Sequence, residues 1–206
     1  EGIADGRWTP ERKRALIQSR TLSARRLIDA MSYMISKPKV FLSASAIGFY
    51  GNQGNELLNE ESAKGNGFLS KVCENWENEI FRAKDFGTRT VALRIGMVLG
   101  HDGGALDKML PPFQLGVGGK LGSGTQWMSW IHIHDLVEMM AFSIENPSVD
   151  GIYNAVSPNP VINRDFTKIL GQVLKRPTLF PALKFIIKIV LGELSELLLG
   201  SHCVMS

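Results

Sequence analysis

Three hydroxyl side chains, Ser43, Ser45 and Tyr50, fall within nine residues, SASAIGFYG over 43–51. The stretch before them, Lys39–Val40–Phe41–Leu42, is short and apolar, and it reads as a buried strand that delivers small residues to its carboxyl end. In open α/β sheets ligands bind beyond the carboxyl ends of the strands, so serines there can touch a ligand or orient a carbonyl or hydroxyl oxygen. The same small residues would also allow close packing at a strand end, and the spacing does not choose between the two.

Other clusters offer other chemistry. The glycine-dense run GVGGKLGSG over 116–124 could cradle an anion with its backbone amides. It lacks the Lys–Ser/Thr ending, the preceding strand and the following helix of a nucleotide-triphosphate loop, so a lid or substrate loop is the stronger reading. His132 and His134 alternate as two metal ligands on a strand would, but no third ligand is evident, and Asp135 reads as the start of a helix. Trp127 and Trp130 could wall a pocket or fill a core.

The surrounding elements must position these groups. Thr9, Pro10 and Glu11 form a helix-start signal, and apolar spacing from Ala15 to Met31 predicts one helix over 9–34, stopped before Pro38. A second apolar stripe predicts a helix over 67–86 with Gly87 as its cap. Residues 48–66 read as loop and TRTVALRI over 88–95 as a second buried strand. A short helix is expected over 102–115, a helix to Asn146, a strand over 151–156, a helix capped by Asn163, and a last helix opened by Pro181. Strands alternating with helices predict a parallel sheet covered on both faces.

With these elements in place, several motifs resemble one family. SASAIGFYG (43–51) resembles the strand-end segment of extended short-chain dehydrogenase/reductases, where a hydroxyl residue precedes a Tyr–Gly pair. LRIGMVLG (93–100) resembles their arginine-containing strand and cofactor-touching turn, and QWMSWIHIHDL (126–136) their segment closing the substrate side. DGRW (5–8), the Trp76–Glu77 pair, GGALDKMLPPF (103–113) and GSGTQWMSW (122–130) are similar to an atypical NAD(P)-dependent epimerase/dehydratase-like subfamily. The likeness spans nearly the whole chain and is most specific from Arg94 to Leu136.

This resemblance implies a Rossmann-type doubly wound parallel sheet with a small, mostly helical C-terminal substrate lobe. It assigns residues 1–100 to the cofactor domain and 101–206 to the lobe, interleaved with the last sheet elements. It implies NADP as cofactor, with NAD possible, and a nucleotide-sugar-like or small hydroxylated or carbonyl substrate. Ser43, Ala44, Gly96, Met97 and Val98 would meet the cofactor, Gln126, Trp127 and Trp130 the substrate, and Ser45 and Tyr50 would be catalytic. Helices 9–34 and 67–86 would pair across a two-fold axis in a homodimer. Glu1–Asp5 resembles the stretch after the family's fourth strand, so the glycine-rich pyrophosphate turn is expected outside this chain.

One departure bears on activity. Hydride-transferring members place a Tyr-x-x-x-Lys pair on the helix after the strand-end serine, the lysine lowering the tyrosine pKa. Here that region is GFLSKVCENW over 67–76, with no tyrosine four residues before a lysine. A catalytically silent dinucleotide-binding sensor is therefore the alternative to an enzyme.

Composition fits these readings and removes others. The 206 residues are 44% hydrophobic and 21% charged, an ordinary globular mix. A formal charge of +3 is too mild to argue for nucleic acid, and the early arginines, Arg7 to Arg26, are interspersed with acids, as on a solvated helix face. FIIKIVL over 185–191 is too short and too interrupted to span a membrane, and residues 1–30 carry no apolar signal run. Two cysteines, Cys73 and Cys203, sit in no metal-ligand spacing and suit a reducing compartment, so a cytoplasmic location is expected.

Overall fold

The computed structural model describes residues 2–101 and 103–205; expectations touching Glu1, Asp102 and Ser206 lie outside the described residues. Helix α1 (Pro10–Tyr33) begins where predicted, because extended Thr9 accepts the Arg12 amide on its hydroxyl at 3.2 Å and Pro10 occupies a position that needs no amide. Strand β1 (Val40–Ala46) follows. The expected loop over 48–66 is more ordered than its polar composition suggested: a 3-10 turn covers Ile47–Tyr50 and β2 covers Leu57–Leu58, since Tyr50 and Leu58 are both pulled into the core. Helix α2 (Phe68–Phe81) runs on as a 3-10 turn to Phe86, and Gly87 ends it in the left-handed region at φ 72°.

The remaining elements are β3 (Arg89–Ile95), β4 (Met97–Leu99), α3 (Gly104–Gln114), β5 (Trp127–Met128), β6 (Trp130–His132), α4 (Ile133–Glu145) and β7 (Gly151–Ala155). After them come β8 (Val161–Ile162), α5 (Asn163–Leu174), α6 (Lys184–Leu191), α7 (Ser195–Leu199) and β9 (Cys203–Val204).

β1, β3 and β7 form a parallel sheet in that order, with Ser45, Arg94 and Asn154 in register across it. Side chains alternate between its faces. Leu42, Val91 and Leu93 pack against Leu136, Met139 and Met140 of α4. Phe41, Ala92 and Ile152 pack against Ala24 of α1 and Trp76 and Ile80 of α2. β3 is covered on both faces, which is why its middle, Val91–Leu93, is apolar, and each large buried side chain there contributes about 1.5–3 kcal/mol. This is the Rossmann-type arrangement that the resemblance implied.

Three helix starts differ from expectation. α4 begins at Ile133, two residues before Asp135, because His132 is the cap and its Nδ1 accepts the His134 amide at 3.2 Å. Asn163 is the first residue of α5 rather than its cap, and its Oδ1 instead accepts the Leu121 amide at 2.8 Å. α6 starts at Lys184, not Pro181, because Ala182 is held in a bridge with Leu121, its amide donating to Lys120 at 2.9 Å. At the other end of α4, the Arg89 guanidinium donates to the carbonyls of Ser143, Ile144 and Val149 and so closes the helix terminus. Among the described residues no helix is long and apolar enough to cross a membrane.

Candidate functional site

The strand-end hydroxyls meet in a buried polar network on the α2 side of the sheet. Arg94 donates from Nε to Glu77 Oε1 at 2.9 Å and from Nη2 to Glu77 Oε2 at 2.8 Å, a two-pronged ion pair with both side chains almost fully buried. The Ser45 hydroxyl donates to the same Glu77 Oε1 at 2.6 Å. The Tyr50 hydroxyl donates to Asn154 Oδ1 at 2.7 Å and accepts from Arg94 Nη1 at 3.0 Å. The Phe49 ring lies 3.4 Å under the Arg94 guanidinium carbon, adding a cation–π contact. Asn154 passes the network outward, donating from Nδ2 to Met205 O at 2.9 Å, while its amide donates to Glu60 Oε1 at 2.7 Å. Gly65 is required where the chain passes Tyr50, since a Cβ there would sit 1.9 Å from the Tyr50 carbonyl oxygen.

Both hydroxyls expected to be catalytic are thus brought together, but each is committed inward. Burial pushes the Tyr50 phenol above its ordinary range, more than the Arg94 hydrogen bond pulls it down. That is the opposite of the lowering that a lysine gives a reductase tyrosine. Gly67 occupies the position four residues before the exposed Lys71. Cys73 sits beside the network with its thiol pushed up to about 12, mainly by burial, which keeps it protonated and unreactive.

Apart from the Arg94–Glu77 pair, the residues toward the carboxyl end of β1 are small. Ser43, Ala44 and Ala46 of β1 are half-buried there, and Ser43 donates to the Ala44 carbonyl at 3.2 Å. Gly96 joins β3 to β4, its amide donating to Ala155 O at 3.1 Å, and a side chain at this position would meet Ser129 O at 2.7 Å. The Met97 amide donates to Ser129 O at 2.9 Å, and Val98 packs toward the α4 face.

A polar cleft of about 200 Å³ is lined by Asn52, Asn55, Ser123, Gln126, Lys184 and Ser201, among others. The glycine-dense run forms one wall through Leu121, Gly122 and Ser123. Gln126 is buried and holds that wall, donating from Nε2 to Leu121 O at 3.1 Å. Trp127 reaches the rim, its indole donating to Asn55 Oδ1 at 3.2 Å, whereas the Trp130 indole donates to Asn159 O and is not brought to the cleft. Segment 200–205 closes it as a strap. Ser201 donates to Gly54 O at 2.5 Å and accepts the Trp127 amide at 3.0 Å, and its own amide donates to Asn52 Oδ1 at 3.2 Å. The His202 and Met205 amides donate to Trp127 O and Leu58 O. His132 and His134 sit at the start of α4, and among the described residues no group of three metal-type ligands occurs.

Sequence reading passed over Glu77, Asn154, Glu60, Asn52 and Ser201. Arg94 left a signal, since it follows the apolar run Val91–Leu93 and a buried arginine needs a partner, whereas Glu77, in a helix that also carries Lys71, Glu74 and Glu79, left none. Asn154 and the strap left none, because their partners are more than 50 residues away.

A three-stranded parallel sheet with helices on both faces and small residues at the carboxyl end of β1 defines a Rossmann-type fold. The sequence profile of the NAD dependent epimerase/dehydratase family matches residues 1–156, and the chain belongs to that family. It is 41% identical over 202 residues to the epimerase family protein SDR39U1 homolog, chloroplastic, of Arabidopsis thaliana, covering 97% of this chain and 58% of that protein. Its structure superposes on human epimerase family protein SDR39U1 (isoform 2) with NADPH at a TM-score of 0.93 and 31% identity, covering all of this chain and 70% of the other. A nucleoside-diphosphate sugar epimerase from Corynebacterium glutamicum matches at a TM-score of 0.71 and 37% identity, over 89% of this chain and 41% of that one. The chain thus spans 58% of the length of its Arabidopsis relative.

Proposed function

We propose that this chain supplies the nicotinamide-side sheet and the substrate lobe of an NADP-binding epimerase- or reductase-type protein, with NAD as a weaker alternative. The observation that carries this reading is a parallel sheet whose β1 ends in small residues, in a chain that also holds a polar cleft. Ser43, Ala44, Gly96, Met97 and Val98 offer backbone and small side chains on that edge, a surface that fits a flat, uncharged nicotinamide ring. A nicotinamide cofactor bound there supplies hydride transfer. The amides and hydroxyls of the cleft, with Lys184, suit a nucleotide-sugar-like or small hydroxylated carbonyl substrate. The human relative's NADPH complex and the Corynebacterium epimerase support cofactor and substrate class respectively.

Gln126 and Trp127 hold and edge the substrate cleft, while Trp130 acts at a distance from it. Ser45 and Tyr50 act as positioning residues: through Glu77, Arg94 and Asn154 they fix the three strand ends against one another. Residues 1–100 and 101–206 divide the labour between cofactor and substrate. The outer faces of α1 and α2 form a two-fold contact in a homodimer. Both free cysteines are buried, which suits a reducing compartment, the cytoplasm or, as the Arabidopsis relative's name suggests, a plastid.

A second reading, a dinucleotide sensor without turnover, is favoured by Gly67 at the tyrosine position and by the inward hydrogen bonds of Ser45 and Tyr50. One experiment addresses both. The protein that carries this chain is titrated with NADPH and then NADH while cofactor fluorescence is followed, and a panel of carbonyl compounds is then added. Saturable binding, tighter for NADPH, is expected. Consumption of NADPH with a carbonyl selects the enzyme, and binding without consumption selects the sensor. No saturable binding of either cofactor refutes the proposal.

A further inference from the structure

A second cleft, of about 240 Å³, has a different chemical character. Arg164 and Lys168 are four residues apart on α5 and share one face with Thr167 between them. Lys120 enters from the facing segment and Thr178 from the loop beyond α5. Among the described residues no carboxylate lines this cleft. Asp165 Oδ1 lies 3.5 Å from Arg164 Nε with both side chains more than half exposed, a contact worth little. Lys120 and Lys168 make no ion pair among the described residues.

The convergence is built into the backbone. The Arg164 amide donates to Gly124 O at 2.9 Å, which ties the start of α5 to the glycine-dense run. A Cβ at Gly124 would meet Arg164 Cβ and Lys120 Cδ at 3.1 Å each, so the missing side chain is what lets the two cationic stems approach. The Lys120 carbonyl accepts the Ala182 amide at 2.9 Å, fixing the opposite wall. Three like charges held around one hollow repel one another until an anion neutralises them.

We propose that this second cleft binds a phosphate-bearing anion. The Arg164 guanidinium presents the planar fork that matches phosphate oxygens, and Lys120, Lys168 and the Thr178 hydroxyl supply further donors. Neighbouring residues of one segment serve the two clefts, Lys120 this one and Leu121 the substrate side, so the bound anion braces the wall of the substrate cleft. Exposed Leu179 and Phe180 stand close by, so the phosphate can come from a soluble ligand or from a lipid headgroup.

The test measures pyrophosphate binding to the full chain by calorimetry, with phosphatidylcholine vesicles, with and without phosphatidate, as a second arm. Arg164→Ala, Lys168→Ala and the charge-keeping Arg164→Lys are compared with the parent. Both side chains are exposed, and circular dichroism checks that the fold is kept. The expected result is one saturable pyrophosphate site that weakens as salt rises and loses about tenfold or more in affinity in each alanine variant, with partial rescue in Arg164→Lys. Vesicle capture that depends on phosphatidate and on Arg164 and Lys168, without soluble binding, assigns the phosphate to a lipid. The proposal is overturned if neither probe binds saturably, or if binding in the Arg164→Ala, Lys168→Ala double variant stays within about twofold of the parent.

Discussion

Removing the Glu77 carboxylate should be the most damaging small change in this molecule. In Glu77→Ala, Arg94 keeps its charge but loses the partners of Nε and Nη2, and the Ser45 hydroxyl loses its acceptor. The site is too buried for water to replace them, Arg94 being 2% and Glu77 5% exposed. Breaking a buried pair from one side costs about 3–5 kcal/mol, because it leaves an uncompensated charge. For a domain of this size each kcal/mol lowers Tm by roughly 2–4 °C, so a fall of about 6–20 °C is expected. Urea unfolding followed by circular dichroism measures the free energy directly. Glu74→Ala serves as the control, because its 2.7 Å pair with Lys64 is exposed and worth less than about 1 kcal/mol. Replacing both partners, Glu77→Leu with Arg94→Met, should recover most of the loss, since no lone charge remains. The reasoning fails if Glu77→Ala lies within about 1 kcal/mol of the parent, or is no worse than Glu74→Ala.

Two further outcomes follow from other parts of the molecule. Burial holds the His202 imidazole down to about 4, below its ordinary 6.5. A lowered folded value means the stabilisation is present above pH 6.5 and is lost as pH falls toward 4, by up to about 3 kcal/mol. Urea midpoints taken between pH 7 and pH 4.5 should fall less steeply in His202→Gln, and an unchanged slope would remove His202 from the account. For the proposed dimer, light scattering across micromolar concentrations should give twice the monomer mass, and Leu27→Glu, on an exposed stretch of α1, should halve it. A parent that is monomeric throughout that range sinks the two-fold contact.

The elements with local signals were the legible ones. Thr9 and Pro10 announced α1 because a cap and a first-turn proline act over four residues, and β3 announced itself by the apolar Val91–Leu93 at its centre. α4 and α6 were misplaced at their starts because the deciding hydrogen bonds come from His132 and from the Leu121–Ala182 bridge, neither of which leaves a composition signal. Around the candidate site, the motif at 43–51 pointed to the right strand end, but not to where its hydroxyls are bonded. Ser45 and Tyr50 look available in a sequence, since nothing near them shows that Glu77, 32 residues on, and Asn154, 104 residues on, already hold them. The polar cleft was half visible, through Gln126, Trp127 and the glycine run. Its other half, Asn52 with Ser201, joins residues 149 apart, a distance over which residue patterns carry no signal.

The strap over 200–205 also orders events during synthesis. Ser201 bonds Gly54, made 147 residues earlier, and at about 5–20 residues per second that delay is roughly 7–30 s on the ribosome. α1, β1 and α2 can pack in that interval, because their mutual contacts lie within the first part of the chain. Tyr50, Asn154 and the floor of the cleft must wait for Ser201, Val204 and Met205 to emerge. The nascent protein therefore carries a sheet edge ready for a ligand well before it carries an enclosed place to put one.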